Sequence, residues 1–399
     1  MHRTELYLIV VSLGFLAQSG FSQSVEWPSY NGDLGATRFS PLSEITTGNV
    51  NTLRPACTYD TGETTNFQSG LLMVQGVLYF TTYDTTYAVD ASNCALRWRY
   101  SRPGPKGGLG VNRGAAYLDG KLFRGGGAHV FALDAATGQP AWEADLGDPA
   151  NGDSVPMAPL AWNGMVFAGN AGGDNFGVTG RIYAFQRCRW PSNLAFNVVP
   201  DSGPARATWK KVSDRNPPTG GATWTSYSLD PEAGVLWIST GNVAPDFLIA
   251  LHPGDNLYTT SVIALDAKTG KLLRYVQPVK KDFHDWDMTS PPALIRSSGG
   301  RQIAAASGKN GCSMASIAPA LPREARPPKR TAANTPKIPT QPISAKRSES
   351  GTAIRSSSTL SGSKRTTPGR TRTPIQSATL ATSWSVGPAP ISATFTWSC

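Results

Sequence analysis

The chain has 399 residues, 40% of them hydrophobic, with 41 Gly and 31 Pro. That length holds a large core or two domains, and short apolar runs between turn formers point to an all-β protein. The formal net charge of +10 says nothing about what the folded part binds: residues 312–399 carry 12 Lys+Arg against 2 Asp+Glu, so residues 1–311 carry 25 of each and balance.

Residues 1–24 read as a secretory leader. His2 and Arg3 give a basic start, Leu6 to Ala17 is apolar but too short to span a bilayer, and Ser19, Gly20, Ser22 and Ser24 offer cleavage points. The expected location is periplasmic or secreted. None of the five cysteines (Cys57, Cys94, Cys188, Cys312, Cys399) lies in a CxxC pair, which argues against a c-type haem domain and a zinc finger. In an oxidising compartment Cys57 and Cys94 are either a disulfide or two unpaired thiols.

A repeat then appears. Tyr87-Ala-Val-Asp-Ala-Ser-Asn-Cys-Ala-Leu-Arg-Trp98 is echoed by Phe131-Ala-Leu-Asp-Ala-Ala-Thr-Gly-Gln-Pro-Ala-Trp142 and by Ile263-Ala-Leu-Asp-Ala-Lys-Thr-Gly-Lys-Leu-Leu-Arg274. Each copy predicts a strand, a tight Asp/Gly turn and a second strand. Gly76-Val-Leu-Tyr-Phe, Gly120-Lys-Leu-Phe-Arg and Gly164-Met-Val-Phe-Ala each predict a strand upstream. Asp90 and Asp134 are 44 residues apart, a period that suits four short strands in a propeller blade better than a β-sandwich.

The repeat fails twice. After Arg181-Ile-Tyr-Ala-Phe185 the residues Gln186–Leu194 break the pattern, yet codons exist for them that, read one base later, restore Ser-Ala-Ala-Asp-Gly-Gln-Ala-Thr-Trp. After Gly311, codons for Cys312–Ala318 read two bases later give Leu-Tyr-Gly-Ile-Asp-Arg, again a repeat opening. Residues 312–399 are rich in Ser, Thr, Pro, Ala and Arg and contain no Asp. They read as an out-of-frame, disordered segment. The rival reading is a genuine basic tail that binds a polyanion.

Three positions suggest a hard cation. Asp174 lies in Gly169-Asn-Ala-Gly-Gly-Asp-Asn-Phe-Gly-Val178, Asn242 in Ser239-Thr-Gly-Asn-Val-Ala-Pro-Asp246, and Asp287 in Phe283-His-Asp-Trp-Asp287. Each follows a predicted strand in a turn-rich loop, and carboxylate and amide oxygens suit Ca²⁺. Asp and Asn are also ordinary turn residues; the spacing leaves both readings open.

Along residues 25–311 the chain resembles the quinoprotein (pyrroloquinoline-quinone-dependent) alcohol and glucose dehydrogenases. The resemblance rests on Trp27-Pro-Ser-Tyr-Asn-Gly-Asp, Gly110-Val-Asn-Arg-Gly114, Gly220-Gly-Ala-Thr-Trp224, Gly241-Asn-Val-Ala-Pro245, Trp286-Asp287 and Gly308-Lys-Asn-Gly311, in the family's order. It implies an eight-bladed β-propeller, of which residues 25–311 supply four or five blades. It implies a quinone held by Arg113, Trp224, Lys309, Gly172, Gly173 and Gln68, and Ca²⁺ held by Asp174, Asn242 and Asp287. Asp287 is the implied catalytic base, the substrate is an alcohol or sugar, and the electron acceptor is an external cytochrome c or a membrane quinone.

The chain also departs from the family. Gly107-Gly108 stand where the alcohol branch has adjacent cysteines over the quinone. Asp174 replaces a glutamate, and the Asp174-Asn175 pair is closer to the sugar-oxidising branch. Gln68 replaces a carboxylate. An open propeller exposes strand edges, so the expectation is a chain that is truncated and inactive or unstable by itself. The reading from another class is a non-catalytic propeller that serves as a binding scaffold.

Overall fold

The computed structural model describes residues 25–102, 110–172, 174, 177–186, 189–210, 212–298, 302–311 and 313–317. They all fall within the unit Met1–Arg326. The leader, Gly107, Gly108, Gly173, Asn175 and the tail beyond Ile317 lie outside the described residues.

Asp90, Asp134 and Asp266 each close a β-turn with the side chain. In the second copy Asp134 Oδ1 accepts from the backbone N–H groups of Ala136 and Thr137 and from the Thr137 hydroxyl. Asp266 does the same with Lys268 and Thr269. The next residue must be left-handed: Gly138 has φ 73° and Gly270 φ 68°, while Cys94 takes φ 58° in the first copy. A Cβ on Gly138 would lie 2.5 Å from the Trp98 ring, so this glycine serves both the turn and the packing between blades.

Each turn joins two strands of an antiparallel four-stranded sheet. Blade 1 is Leu72–Val74, Val77–Thr81, Thr85–Asp90 and Leu96–Ser101. Blade 2 is Ala115–Leu118, Lys121–Gly126, His129–Asp134 and Pro140–Asp145. Blade 3 is Leu160–Trp162, Met165–Gly169, Arg181–Gln186 and Arg189–Asn197. Blade 4 is Ser228–Asp230, Val235–Ser239, Val262–Asp266 and Leu272–Val276. Blade 5 has three described strands, Ala293–Arg296, Gln302–Ser307 and Ser313–Ile317. Among the described residues no ladder joins blade 5 back to blade 1, so the propeller is incomplete.

Two of these strands fall where the repeat fails. Arg189–Asn197 pairs with Arg181–Gln186 (Tyr183 opposite Ala195) after a bulge at Ala184/Gln186. Ser313–Ile317 pairs with Gln302–Ser307, beyond the boundary set at Gly311. The backbone ladder needs only extended residues, so it does not require the Asp-turn signature.

The core lies between neighbouring blades. Inner strands are nearly fully buried, whereas the outermost strands of blades 1, 2 and 4 alternate or are exposed. One cluster runs through blades 2, 3 and 4 and contains Phe123, Phe167, Phe185 and Ile263; a second joins blades 1 and 2, and a third joins blades 4 and 5 around Trp237. Burying each large side chain stabilises the fold by roughly 1.5–3 kcal/mol. Trp98 crosses from blade 1 and donates its Nε1–H to Ala135 O at 3.0 Å.

Cys57 and Cys94 are bonded, which settles the alternative left open by the sequence. The bond ties the exposed segment before blade 1 to the blade's turn across 37 residues. Loop-closure entropy gives about 3–4 kcal/mol for a loop of this size. The double variant Cys57→Ser/Cys94→Ser is expected to lose about that much in urea unfolding; an unchanged midpoint would contradict it.

Candidate functional site

The connections between and within blades enclose a cavity of about 420 Å³, lined by Arg113, Gly172, Asp174, Trp224, Asp287 and Lys309 among others. That volume lies within the usual range for small-molecule sites, about 300–1,000 Å³. Five fragments far apart in sequence supply these side chains, because each blade contributes a loop at the same end.

Asp287 is the best-held group. It is 3% exposed. Its Oδ1 accepts from Asn242 N–H at 2.8 Å, and its Oδ2 accepts from Trp224 Nε1–H at 3.0 Å. The Lys309 ammonium lies 2.8 Å from the same Oδ2 and donates to Asp285 Oδ1 at 2.6 Å. Burial pushes the Asp287 carboxyl up to about 6 against the opposing pull of Lys309. Burial also pulls on Lys309, but hydrogen bonds to Asp285 and Asp287 outweigh it and hold the ammonium's pKa above the ordinary lysine value.

Trp224, bonded to Asp287, and Arg113 continue the cavity lining. The Arg113 guanidinium lies 4.7 Å from the Trp224 ring centroid and donates to Trp224 O at 3.3 Å. Its backbone is fixed on both sides, by N–H to Pro156 O at 2.9 Å and by its own carbonyl to Gly70 N–H at 3.0 Å. Burial lowers its pKa, yet guanidinium stays charged. Arg113 therefore already occupies one face of the ring that the sequence reading offers to a ligand. Gly172 has φ 112°, and a Cβ there would meet Gly152 O at 2.1 Å, so the Gly172 loop packs against the Gly152 loop only without a side chain.

Beside the lining residue Asp174 two more carboxylates gather just outside the cavity lining. Oxygens of Asp174, Asp246 and Asp285 lie within 4.8 Å of one another. Asn242, 2% exposed, donates from Nδ2 to Val243 O at 2.9 Å and also to Asp246 Oδ1. Burial, then the Asp174 and Asp285 charges, push Asp246 up to about 7. Burial and Asp285 also raise Asp174, against a smaller lowering by Lys309.

The structure thus brings together Arg113, Gly172, Asp174, Trp224, Asn242, Asp287 and Lys309. It does not bring in Gln68: this residue is exposed, after the short strand Asn66–Phe67, and is absent from the cavity lining. The strand Asn66–Phe67 pairs with Val111–Asn112, and Gln68 stands outside that pairing. Sequence reasoning gave no role to Asp246, although it lies four residues after Asn242, and left Asp285 open between a residue that supports the site from behind and a turn residue. His284 stacks on Trp286 with centroids 4.2 Å apart, a loop-holding role rather than a ligand's.

An aromatic face, a guanidinium and a buried carboxylate paired with a part-exposed lysine line this cavity of an incomplete β-propeller. The family model for the β-propeller domain of the PQQ-dependent glucose/ethanol/alcohol dehydrogenases matches residues 27–381, and the chain belongs to that family. It is 32% identical over 285 residues to the quinohemoprotein alcohol dehydrogenase ADH IIB of Pseudomonas putida, covering 66% of this chain and 41% of that protein. It is 29% identical to the lanthanide-dependent methanol dehydrogenase of Methylacidiphilum fumariolicum, covering 66% and 47%. The crystal structure of the quinohemoprotein alcohol dehydrogenase from Comamonas testosteroni superposes with a TM-score of 0.66 at 28% identity, over 73% of this chain and 47% of that one. The chain spans less than half the length of these relatives.

Proposed function

We propose that the cavity binds pyrroloquinoline quinone and a hard cation, and that the chain's chemistry is oxidation of an alcohol or sugar hydroxyl. The observation that carries this reading is Asp287, buried and held by Trp224, Asn242 and Lys309 at the cavity wall. The donor set of Asp174, Asn242 and Asp287 is all oxygen, which fits Ca²⁺ or a cation of similar hardness.

When bound, the quinone is the hydride acceptor and the cation polarises it. The residues do the rest. Trp224 offers a flat apolar face, at the cost of displacing Arg113 if that face is used; such a contact is worth about 0.5–2 kcal/mol. Arg113 and Lys309 place two positive charges beside an anionic ligand. The Asp287 carboxylate takes the hydroxyl proton, and its raised pKa makes it a stronger base while it remains ionised at neutral pH.

Dye reduction by the chain loaded with quinone and Ca²⁺, started by a primary alcohol or an aldose, tests this. Asp287→Asn is expected to slow it by about 10²–10⁴-fold. Binding of both groups with no dye reduction would favour the non-catalytic scaffold instead.

Stability carries a second signature. A carboxyl whose folded pKa exceeds its unfolded value of about 4 adds stability that is complete below that value and is lost as pH rises through the folded pKa. For Asp246 and Asp287 the window ends at about 7 and about 6. A bound cation favours the ionised forms and offsets the loss. The gain in melting temperature on adding Ca²⁺ is therefore expected to be larger at pH 8 than at pH 5; equal gains would contradict it.

The leader-like segment and the disulfide together support export to the periplasm or beyond, with electrons passed to an external cytochrome c or membrane quinone. Among the described residues no helix is long and apolar enough to cross a membrane.

A further inference from the structure

His129, Glu143 and Asp145 stand on two neighbouring strands of blade 2, and none of them lines the cavity. The antiparallel register sets His129 directly opposite Asp145 and Phe131 opposite Glu143. Side chains alternate along a strand with a period of two, so this register turns His129, Glu143 and Asp145 to one face of the sheet. Their donor atoms meet there. His129 Nδ1 lies 2.5 Å from Asp145 Oδ1 and 3.2 Å from Glu143 Oε1, and one donor atom from each residue falls within 4.8 Å of the other two.

A tetrahedral ion with bonds of about 2.0–2.2 Å holds its ligand atoms roughly 3–4 Å apart. The cluster reaches that spacing by a small outward swing of Asp145, whose side chain is 78% exposed. Ionised carboxylates only accept, so Nδ1 carries a proton toward them in the metal-free chain; a metal ion takes that proton's place. Arg102 sets Glu143 from outside. Its backbone N–H donates to Asp84 O at 2.9 Å in blade 1, its Nε donates to Glu143 Oε2 at 3.0 Å, and its Nη2 donates to Glu143 Oε1. Each carboxylate oxygen keeps a second lone pair for a metal. With Arg102 counted, two carboxylates and a neutral imidazole present one net negative charge to a dication. A surface ion pair accounts for Arg102 and Glu143, but it leaves the imidazole between two carboxylates without a purpose.

We propose that His129, Glu143 and Asp145 form a metal site separate from the cavity, and that it takes a transition-metal dication of the Zn²⁺ type. One nitrogen and two oxygens suit such an ion and are too few for Ca²⁺, which takes about 6–8 oxygens. Three protein ligands leave a fourth position to water. The ion staples two strand ends that support the cavity. Gly126 and Gly127 line it just before His129. Ala128 O accepts from Leu146 N–H at 2.8 Å, beside Asp145, and Gly127 O accepts from Val155 N–H at 2.7 Å.

Calorimetric titration of Zn²⁺ into the purified full chain tests this, after treatment with a chelator and with excess Ca²⁺ present to occupy the cavity carboxylates. The expected result is a saturable step that disappears in His129→Gln. In Asp145→Asn it should weaken by about tenfold or more, the loss that even a residue supporting a ligand commonly causes. Zn²⁺ should also raise the melting temperature of the wild type and not that of His129→Gln, because an ion that binds only the folded state stabilises it. Circular dichroism checks that the variants fold. Asp145 is largely exposed, so Asp145→Asn keeps the test decisive if His129→Gln does not fold. A wild type that takes up no Zn²⁺, or a titration that Asp145→Asn and His129→Gln leave unchanged, overturns the inference and reduces the cluster to an ion pair.

Discussion

Asp287→Ala is expected to cost about 3–5 kcal/mol of folding stability and to abolish cation binding. The magnitude follows from what the carboxylate leaves behind. Lys309 loses one of its two anionic partners, while Trp224 Nε1–H and Asn242 N–H lose their acceptor. Each stranded buried donor costs about 1–3 kcal/mol, whereas Lys309, 39% exposed and still paired with Asp285, adds little. Asp287→Asn keeps an acceptor oxygen and should cost less, while still weakening the cation. Urea unfolding with and without Ca²⁺ measures both effects. A variant that unfolds like the wild type, or gains as much from Ca²⁺, would show that Asp287 neither organises the wall nor holds the ion.

Arg124→Met is expected to cost a similar amount, about 3–5 kcal/mol, for a different reason. Arg124 is 1% exposed, and burial pulls its pKa down to about 10. Its guanidinium donates to Gly125 O at 2.8 Å, Thr85 O at 2.9 Å, Thr86 Oγ1 at 3.1 Å, Tyr83 O at 2.7 Å and Thr82 O at 3.3 Å. It also lies 5.3 Å from the Phe131 ring centroid. A charged fork in blade 2 thus fastens the turn of blade 1 that carries Tyr83, a cavity residue. Methionine fills the volume but strands these acceptors, at about 1–3 kcal/mol each before relaxation. Arg124→Lys should recover only part, because an ammonium lacks the fork. A loss below about 1 kcal/mol for Arg124→Met would show that the turn holds itself.

The blades were legible because their signals are local. Asp134-Ala-Ala-Thr-Gly138 states its turn through an Asp side chain and a left-handed glycine, and both are four residues apart at most. The outer strand Arg189–Asn197 was not legible, since its pairing depends on the neighbouring strand rather than on its own composition. At the site, Asp174, Asn242 and Asp287 stood out by loop context and resemblance, and they do converge. Gln68 was carried by resemblance alone, and it is exposed and outside the cavity lining. Asp246 and Arg124 escaped notice because their roles come from contacts across long sequence separations. Arg124 Nη2 reaches Tyr83 O from 41 residues away, and nothing in the string Lys121-Leu-Phe-Arg124 distinguishes a buried cation from a solvated one.

The most direct test is titration of pyrroloquinoline quinone into the purified chain with Ca²⁺ present, followed by tryptophan fluorescence and heat. The account predicts saturable binding at one site, lost with a chelator and weakened at least tenfold in Trp224→Ala and Arg113→Ala. No heat and no quenching, or binding indifferent to the chelator and both substitutions, would contradict the assignment of this cavity as the quinone site.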